Sequence, residues 1–214
     1  MEILKFDFND PSKEVIKKTA EVVKRGGVVV FPTDTVYGLA ADATNENAIR
    51  KLFQIKKRDA GKRISIIIKD INAARAYAAI SKKVENTLKN LLPGPYTIVL
   101  RKKEKLPEIL TAGADTIGLR IPKCVFTDLL AGELGIPYTA TSANISGYPA
   151  TGKIKEVQEY FLEREFRPDL IIDSGDLPES EESTIIDLTS ENPKILRIGA
   201  VKKEKLFEIL KNLT

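Results

Sequence analysis

Short β-branched runs alternate with amphipathic stretches along this chain, and the alternation calls for an α/β fold, a sheet flanked by helices. Val28-Val29-Val30-Phe31, Ile64-Ser65-Ile66-Ile67-Ile68, Tyr96–Arg101 and Thr116–Arg120 read as strands. So do Pro137–Thr141, Asp169–Asp173, Thr184–Leu188 and Lys194–Arg197. Asp10-Pro11-Ser12 opens a helix with Val15, Ile16, Ala20, Val22 and Val23 on one face, and Gly26-Gly27 stops it. Thr44 or Asn45 caps a second helix, which bears Ile49, Leu52 and Phe53. Asp70 and Ser81 are N-caps of two more, and further helices are expected over 125–134, 153–161 and 206–210. No repeat, low-complexity tract or linker breaks the pattern, so one domain over 1–214 is the simplest reading.

The first buried run ends in Pro32-Thr33-Asp34-Thr35-Val36-Tyr37-Gly38-Leu39-Ala40-Ala41-Asp42-Ala43. Polar groups at the end of a buried strand often face a ligand. Val36 and Tyr37 exclude a Gly-rich phosphate loop and suit the wall of a pocket for a small polar molecule. Turn chemistry accounts for Thr and Asp here equally well.

The chain contains no histidine and one cysteine, Cys124. His-based acid/base catalysis, Ser–His and Cys–His nucleophiles and zinc sites are therefore excluded or nearly so. Any metal would be a hard ion held by oxygen. With no apolar run of membrane-spanning length and no signal-peptide pattern, a cytoplasmic location is expected. Charge is unevenly placed. Residues 50–105 carry 16 Lys/Arg against 4 Asp/Glu, and residues 156–191 carry 2 against 12. The basic block suits polyanionic ligands, or is a set of solvated helix faces. The acidic loop Gly175–Glu182 is the best candidate for a mobile segment.

Three more polar clusters lie at element ends. Lys56-Lys57-Arg58 with Lys62-Arg63 offers several cations around one loop, as a triphosphate needs, or is a solvated basic loop. Arg120 closes an alternating strand, where burial requires an anionic partner, either a ligand or another side chain. Thr139-Ala140-Thr141-Ser142-Ala143-Asn144, running on to Ser146-Gly147, supplies neutral donors and acceptors on small residues, or an Asn/Gly turn. Together the clusters favour an ATP-type substrate plus a small carboxylate. An enzyme built from them would work by positioning and charge stabilisation.

PTDTVYGLAADA, Lys56-x-Arg58, LLPGPYTIVL, TIGLRIP, TSANISG, Ser183-Thr184 and Ile195–Ala200 form an ordered set. That set resembles the L-threonylcarbamoyladenylate synthases of the Sua5/YrdC/TsaC family, in their short, single-domain form. The resemblance implies a twisted open mixed sheet with flanking helices and a large basic concave cavity. It implies condensation of L-threonine, bicarbonate or CO2 and ATP into threonylcarbamoyl-AMP and pyrophosphate. The product would feed the transferase machinery that makes t6A in tRNA. By motif, Thr35, Arg120, Ala140 and Ser183 would take L-threonine. Lys56, Arg58, Lys62, Thr116, Ser142, Asn144 and Arg197 would surround ATP, with Lys56 and Arg58 catalytic. Mg2+ would arrive with the ATP phosphates. Some members have a histidine where this chain has Ile67, so its contact must be absent or replaced. Two other readings remain: a double-stranded RNA or tRNA-binding module, and a relative that carbamoylates another acceptor.

Overall fold

The computed structural model of the protein describes residues 1–59 and 61–211. Its strands are β1 (Glu2–Lys5), β2 (Val29–Phe31), β3 (Gly38–Ala40), β4 (Ser65–Ile67), β5 (Tyr96–Arg101), β6 (Thr116–Arg120), β7 (Tyr138–Ser142), β8 (Leu170–Asp173), β9 (Thr184–Asp187) and β10 (Lys194–Arg197). Its helices are α1 (Lys13–Lys24), α2 (Glu46–Lys56), α3 (Ile71–Ala74), α4 (Lys82–Leu91), α5 (Glu108–Thr111), α6 (Val125–Leu134), α7 (Ile154–Phe161) and α8 (Lys203–Lys211). The helix starts follow their caps. Ser12, Asn45, Asp70 and Ser81 each accept a backbone N–H from the first turn that follows. Residues 212–214, the end of the expected single-domain span, lie outside the described residues.

All ten strands join one mixed sheet in the order β1-β8-β2-β3-β7-β4-β6-β5-β9-β10. β3 and α5 were not expected from the sequence, nor was β1. Gly38-Leu39-Ala40 has poor strand propensity, but β2 pairs with it on one side and β7 on the other. Tertiary pairing decides its conformation.

Strand side chains alternate between two apolar layers. Val30, Leu39, Ile66, Ile98, Leu119 and Ile186 point to one face, where they pack with α2, α4 and α7. Val29, Phe31, Ala40, Ile67, Tyr138 and Ile172 point to the other, under α1 and α6. Phe126 of α6 meets Phe6 edge-on at 4.9 Å between ring centroids, and Phe31 lies beneath it at 6.4 Å. On this second face the apolar cover runs from β1 to about β4 and then stops. Further along, the same face carries Ser65, Thr97, Gly118 and Arg120 in place of large apolar residues. This uncovered half of the sheet is the floor of the candidate site.

Phe126→Ala should cost about 3–5 kcal/mol of stability by opening a cavity under α6. Urea unfolding measures it. A loss below about 1 kcal/mol would show that the ring does not hold α6 on the sheet.

Candidate active site

A cavity of about 160 Å³ lies on that floor. It is smaller than the roughly 300–1,000 Å³ of sites that enclose drug-sized ligands. Ser65 from β4, Thr97 from β5 and Ala140 from β7 line its base. Ser65 and Ala140 are partners across the β4–β7 register. Gly118 of β6 runs between Ser65 and Thr97 with no room for a side chain, since a Cβ there would sit 2.4 Å from Ser65 Oγ and 3.0 Å from Thr97 Cγ2. Four arginines ring the space: Arg58, Arg63, Arg120 and Arg197. Glu182 is the carboxylate among its lining residues.

Arg120 is 8% exposed. Its Nη2 donates to Asp34 Oδ1 at 3.0 Å and to Thr35 Oγ1 at 3.4 Å. Its Nε is buried with no partner among the described residues. Burial pulls the guanidinium below its usual pKa, and Asp34 offsets part of that effect. Asp34 is fixed by its other oxygen, which accepts the Lys123 backbone N–H at 2.9 Å. The opening motif therefore uses its own residues to seat Arg120. Thr33 Oγ1 donates to Val36 O at 2.7 Å and accepts Thr35 N–H, which sets the turn. Thr33 and Asp34 do the turn and pairing work open to such a loop, and Thr33 and Thr35 both line the cavity. Tyr37 also lines the cavity, and its hydroxyl is tied to the 174–175 segment. Its hydroxyl donates to Gly175 O at 2.6 Å and accepts Ser174 N–H at 3.1 Å. Burial raises its pKa.

Across the cavity, Arg197 Nε and Nη2 donate to Ser183 O at 3.2 and 2.8 Å, and Nη1 pairs with Glu182 at 2.7 Å. Ser183 Oγ lies 2.8 Å from Thr97 Oγ1. Arg58 donates through Nη2 to Arg63 O at 2.8 Å, and burial lowers its pKa against the opposing pull of Glu182.

Thr35, Arg58, Arg120, Ala140, Ser142, Ser183 and Arg197 thus come together on one cavity. Four other expected residues stand elsewhere. Lys56 is 1% exposed and sits behind the wall. Its Nζ donates to Ser142 O, to Asn144 O at 2.9 Å and to Asn144 Oδ1 at 2.7 Å. Asn144 Nδ2 donates to Tyr148 O at 2.6 Å. In this structure the pair knots the 142–148 loop rather than facing the cavity. Thr116 Oγ1 accepts from Arg63 at 3.0 Å, and Lys62 is exposed at the rim with its carbonyl taken by Arg58 Nε. Ile67 is 1% exposed in the second apolar layer, opposite Arg120 in the β4–β6 register. No residue replaces the family histidine from that position.

Sequence reasoning overlooked Ser65, Thr97 and Glu182, and it named Arg63 and Asp34 within polar clusters without giving either a role of its own. Ser65 left a trace, being the single polar residue in an isoleucine-rich run. Glu182 left none, because it is one acid among several in its loop.

An α/β sheet whose open half carries an arginine-ringed polar pocket has the lining chemistry that suits small anionic ligands. The Sua5/YciO/YrdC family model, described as telomere recombination, matches residues 21–199. The chain belongs to this family. It is 36% identical over 200 residues to a putative threonylcarbamoyl-AMP synthase of Methanocaldococcus jannaschii, covering 91% of this chain and 92% of that protein. The structure of Pyrococcus abyssi Sua5 complexed with L-threonine superposes with a TM-score of 0.92 at 34% identity. That match covers 98% of this chain but 61% of the longer Pyrococcus chain. Escherichia coli YciO superposes with a TM-score of 0.83 at 28% identity, over 94% of this chain and 96% of that one.

Lys56→Met keeps the apolar stem and removes all three donors. It should cost about 2–4 kcal/mol by leaving buried oxygens unpaired. Burial, with Arg58 adding to it, pulls the Lys56 pKa down to about 7. The folded value lies below the unfolded one, so between about 7 and 10 the unfolded chain binds the extra proton. The group's contribution to stability is therefore present at high pH and lost as pH falls toward 7. Denaturation of wild type and Lys56→Met at pH 7 and 9 should show the gap in favour of wild type widening at pH 9. A constant gap would contradict a lowered Lys56.

Proposed function

We propose that this protein is a threonylcarbamoyl-AMP synthase, which condenses L-threonine, bicarbonate or CO2 and ATP and releases pyrophosphate. The observation that carries the reading is the convergence of two sets of groups on one cavity. Arg120, with an unpartnered buried Nε beside Thr35, suits an amino-acid carboxylate. Arg58, Arg63 and Arg197 stand opposite and suit phosphates. The L-threonine complex of Pyrococcus Sua5 and the names of the curated relatives support the same assignment.

In this reading Arg120, Thr35 and Ser183 hold the amino acid while its amine becomes a carbamate. The carbamate oxygen attacks the α-phosphorus, and pyrophosphate leaves. Arg58 and Arg197 stabilise the charge that builds on the phosphates. At 160 Å³ the cavity accommodates the reacting groups, with the rest of the nucleotide at its mouth. Glu182, paired with Arg197, is a poor cage for a divalent ion. Mg2+ is therefore assigned to the phosphates, which bring oxygen ligands of their own. Lys56 and Asn144 act by holding the Ser142 loop in place, and Lys62 and Thr116 by setting the rim around Arg58 and Arg63. The product supplies the threonylcarbamoyl group of t6A in tRNA. The described residues include no helix long and apolar enough to cross a membrane. A cytoplasmic location remains part of the proposal.

Ile67 favours a second reading, the same chemistry with another acceptor. The apolar side chain stands where some members place a threonine-contacting histidine.

Pyrophosphate release from ATP and Mg2+ tests the proposal. It should require both L-threonine and bicarbonate. Release that ignores threonine but needs another amine points to the second reading, and no release refutes both. Arg58→Ala should lower kcat/KM by about 10²–10³-fold with the melting temperature little changed. Unchanged turnover would remove Arg58 from the phosphate site.

A further inference from the structure

Arg197 reaches the cavity with two of its three nitrogens already committed to Ser183. Nη1 is the nitrogen left to meet a ligand, and Glu182 holds it at 2.7 Å. The carboxylate also acts on Arg58, Lys56 and Arg120, whose charged forms it favours. It is thus a fixed anion set among the cations that a polyphosphate would use.

The backbone around Glu182 is clamped. Ala200 N–H donates to Glu182 O at 2.9 Å, and Gly199 and Val201 N–H groups donate to Thr184 Oγ1 at 3.1 and 3.3 Å. A Cβ at Gly199 would lie 2.0 Å from Glu182 O, so only glycine allows this approach. The loop before it is tied as well. Gly175 O accepts the Tyr37 hydroxyl, and Leu177 N–H donates to Gly152 O at 2.9 Å. The side chain of Glu182, by contrast, is 40% exposed. Its carboxylate can leave Arg197 by rotation about its own bonds while the chain stays in place. A half-exposed ion pair is weak enough for a ligand phosphate to replace.

We propose that Glu182 is a built-in competitor for phosphate: its carboxylate occupies Arg197 and must swing out before a polyphosphate group can bind there. The device sets how tightly the cleft takes its anionic ligand and limits occupation by smaller anions. The acidic segment acts through this single side chain and not as a loop that opens. Only the identity of the phosphate carrier rests on the proposed function.

Calorimetric titration with inorganic tripolyphosphate, at fixed ionic strength and without divalent ions, tests the competition directly. Glu182→Gln keeps the shape and removes the charge, and should bind the probe about three- to tenfold more tightly than wild type. Glu182→Ala should do the same, which separates loss of charge from any new contact by the amide. L-Threonine affinity, measured in the same way, should change less than twofold. Equal or weaker tripolyphosphate binding by both variants overturns the proposal, as does failure of every form to bind the probe. Weakened threonine binding with unchanged tripolyphosphate binding also overturns it, and assigns the carboxylate to the amino acid's ammonium group. If the variants bind tripolyphosphate more tightly but wild type forms no pyrophosphate from ATP, threonine and bicarbonate, the competition stands and the proposed activity falls.

Discussion

The ion pair between Arg120 and Asp34 is the contact on which the site's geometry turns. It joins the end of β6 to the loop after β2, and through the Lys123 amide it also reaches the start of α6. Both side chains are more than nine-tenths buried. Breaking such a pair leaves a buried charge and costs about 3–5 kcal/mol. Replacing both partners with apolar residues is often neutral or stabilising. Stability alone is therefore a poor reason for the pair. A better one is position, because the pair seats the guanidinium against the cavity and leaves its Nε without a partner among the described residues.

The pocket follows from incomplete coverage of the sheet. One face is covered along its length by an apolar layer under α2, α4 and α7. The other is covered by α1 and α6 over about half its width. The remainder is surfaced with Ser65, Thr97, Gly118 and Ala140 rather than with Val, Ile or Phe. Small residues there keep space above the strands open. Gly118 matters most, because any side chain would fill the gap between Ser65 and Thr97.

Much of the architecture was legible. Helix starts came from Ser12, Asn45, Asp70 and Ser81, whose capping is a local effect. Tyr96–Arg101 and Thr116–Arg120 were both legible as strands, the second from its alternation, and their bounds match the structure. β3 was hidden because its pairing partners, not its residues, make it a strand. The site was legible in part for the same reason. Arg120 announced itself as a charge in a buried strand, yet its partner Asp34 lies 86 positions away in sequence. Arg58 and Arg197 meet only because β9 and β10 extend the sheet beyond β5, an order no local pattern encodes. Lys56 shows the same limit, because its buried ammonium is held by the carbonyls of Ser142 and Asn144, far away in sequence. Glu182 read as one more acid in a solvated loop, while Tyr37, Gly152 and Ala200 hold that segment against the cavity.

The proposed function puts a small amino acid in this cavity with its carboxylate on Arg120. Calorimetric titration of the wild-type protein with L-threonine and with L-threoninol, which has an alcohol in place of the carboxylate, tests it most directly. L-Threonine should bind measurably and the alcohol at least about a hundredfold more weakly, as expected when a buried charge loses its hydrogen-bonded partner. Equal affinity for the two compounds would contradict it.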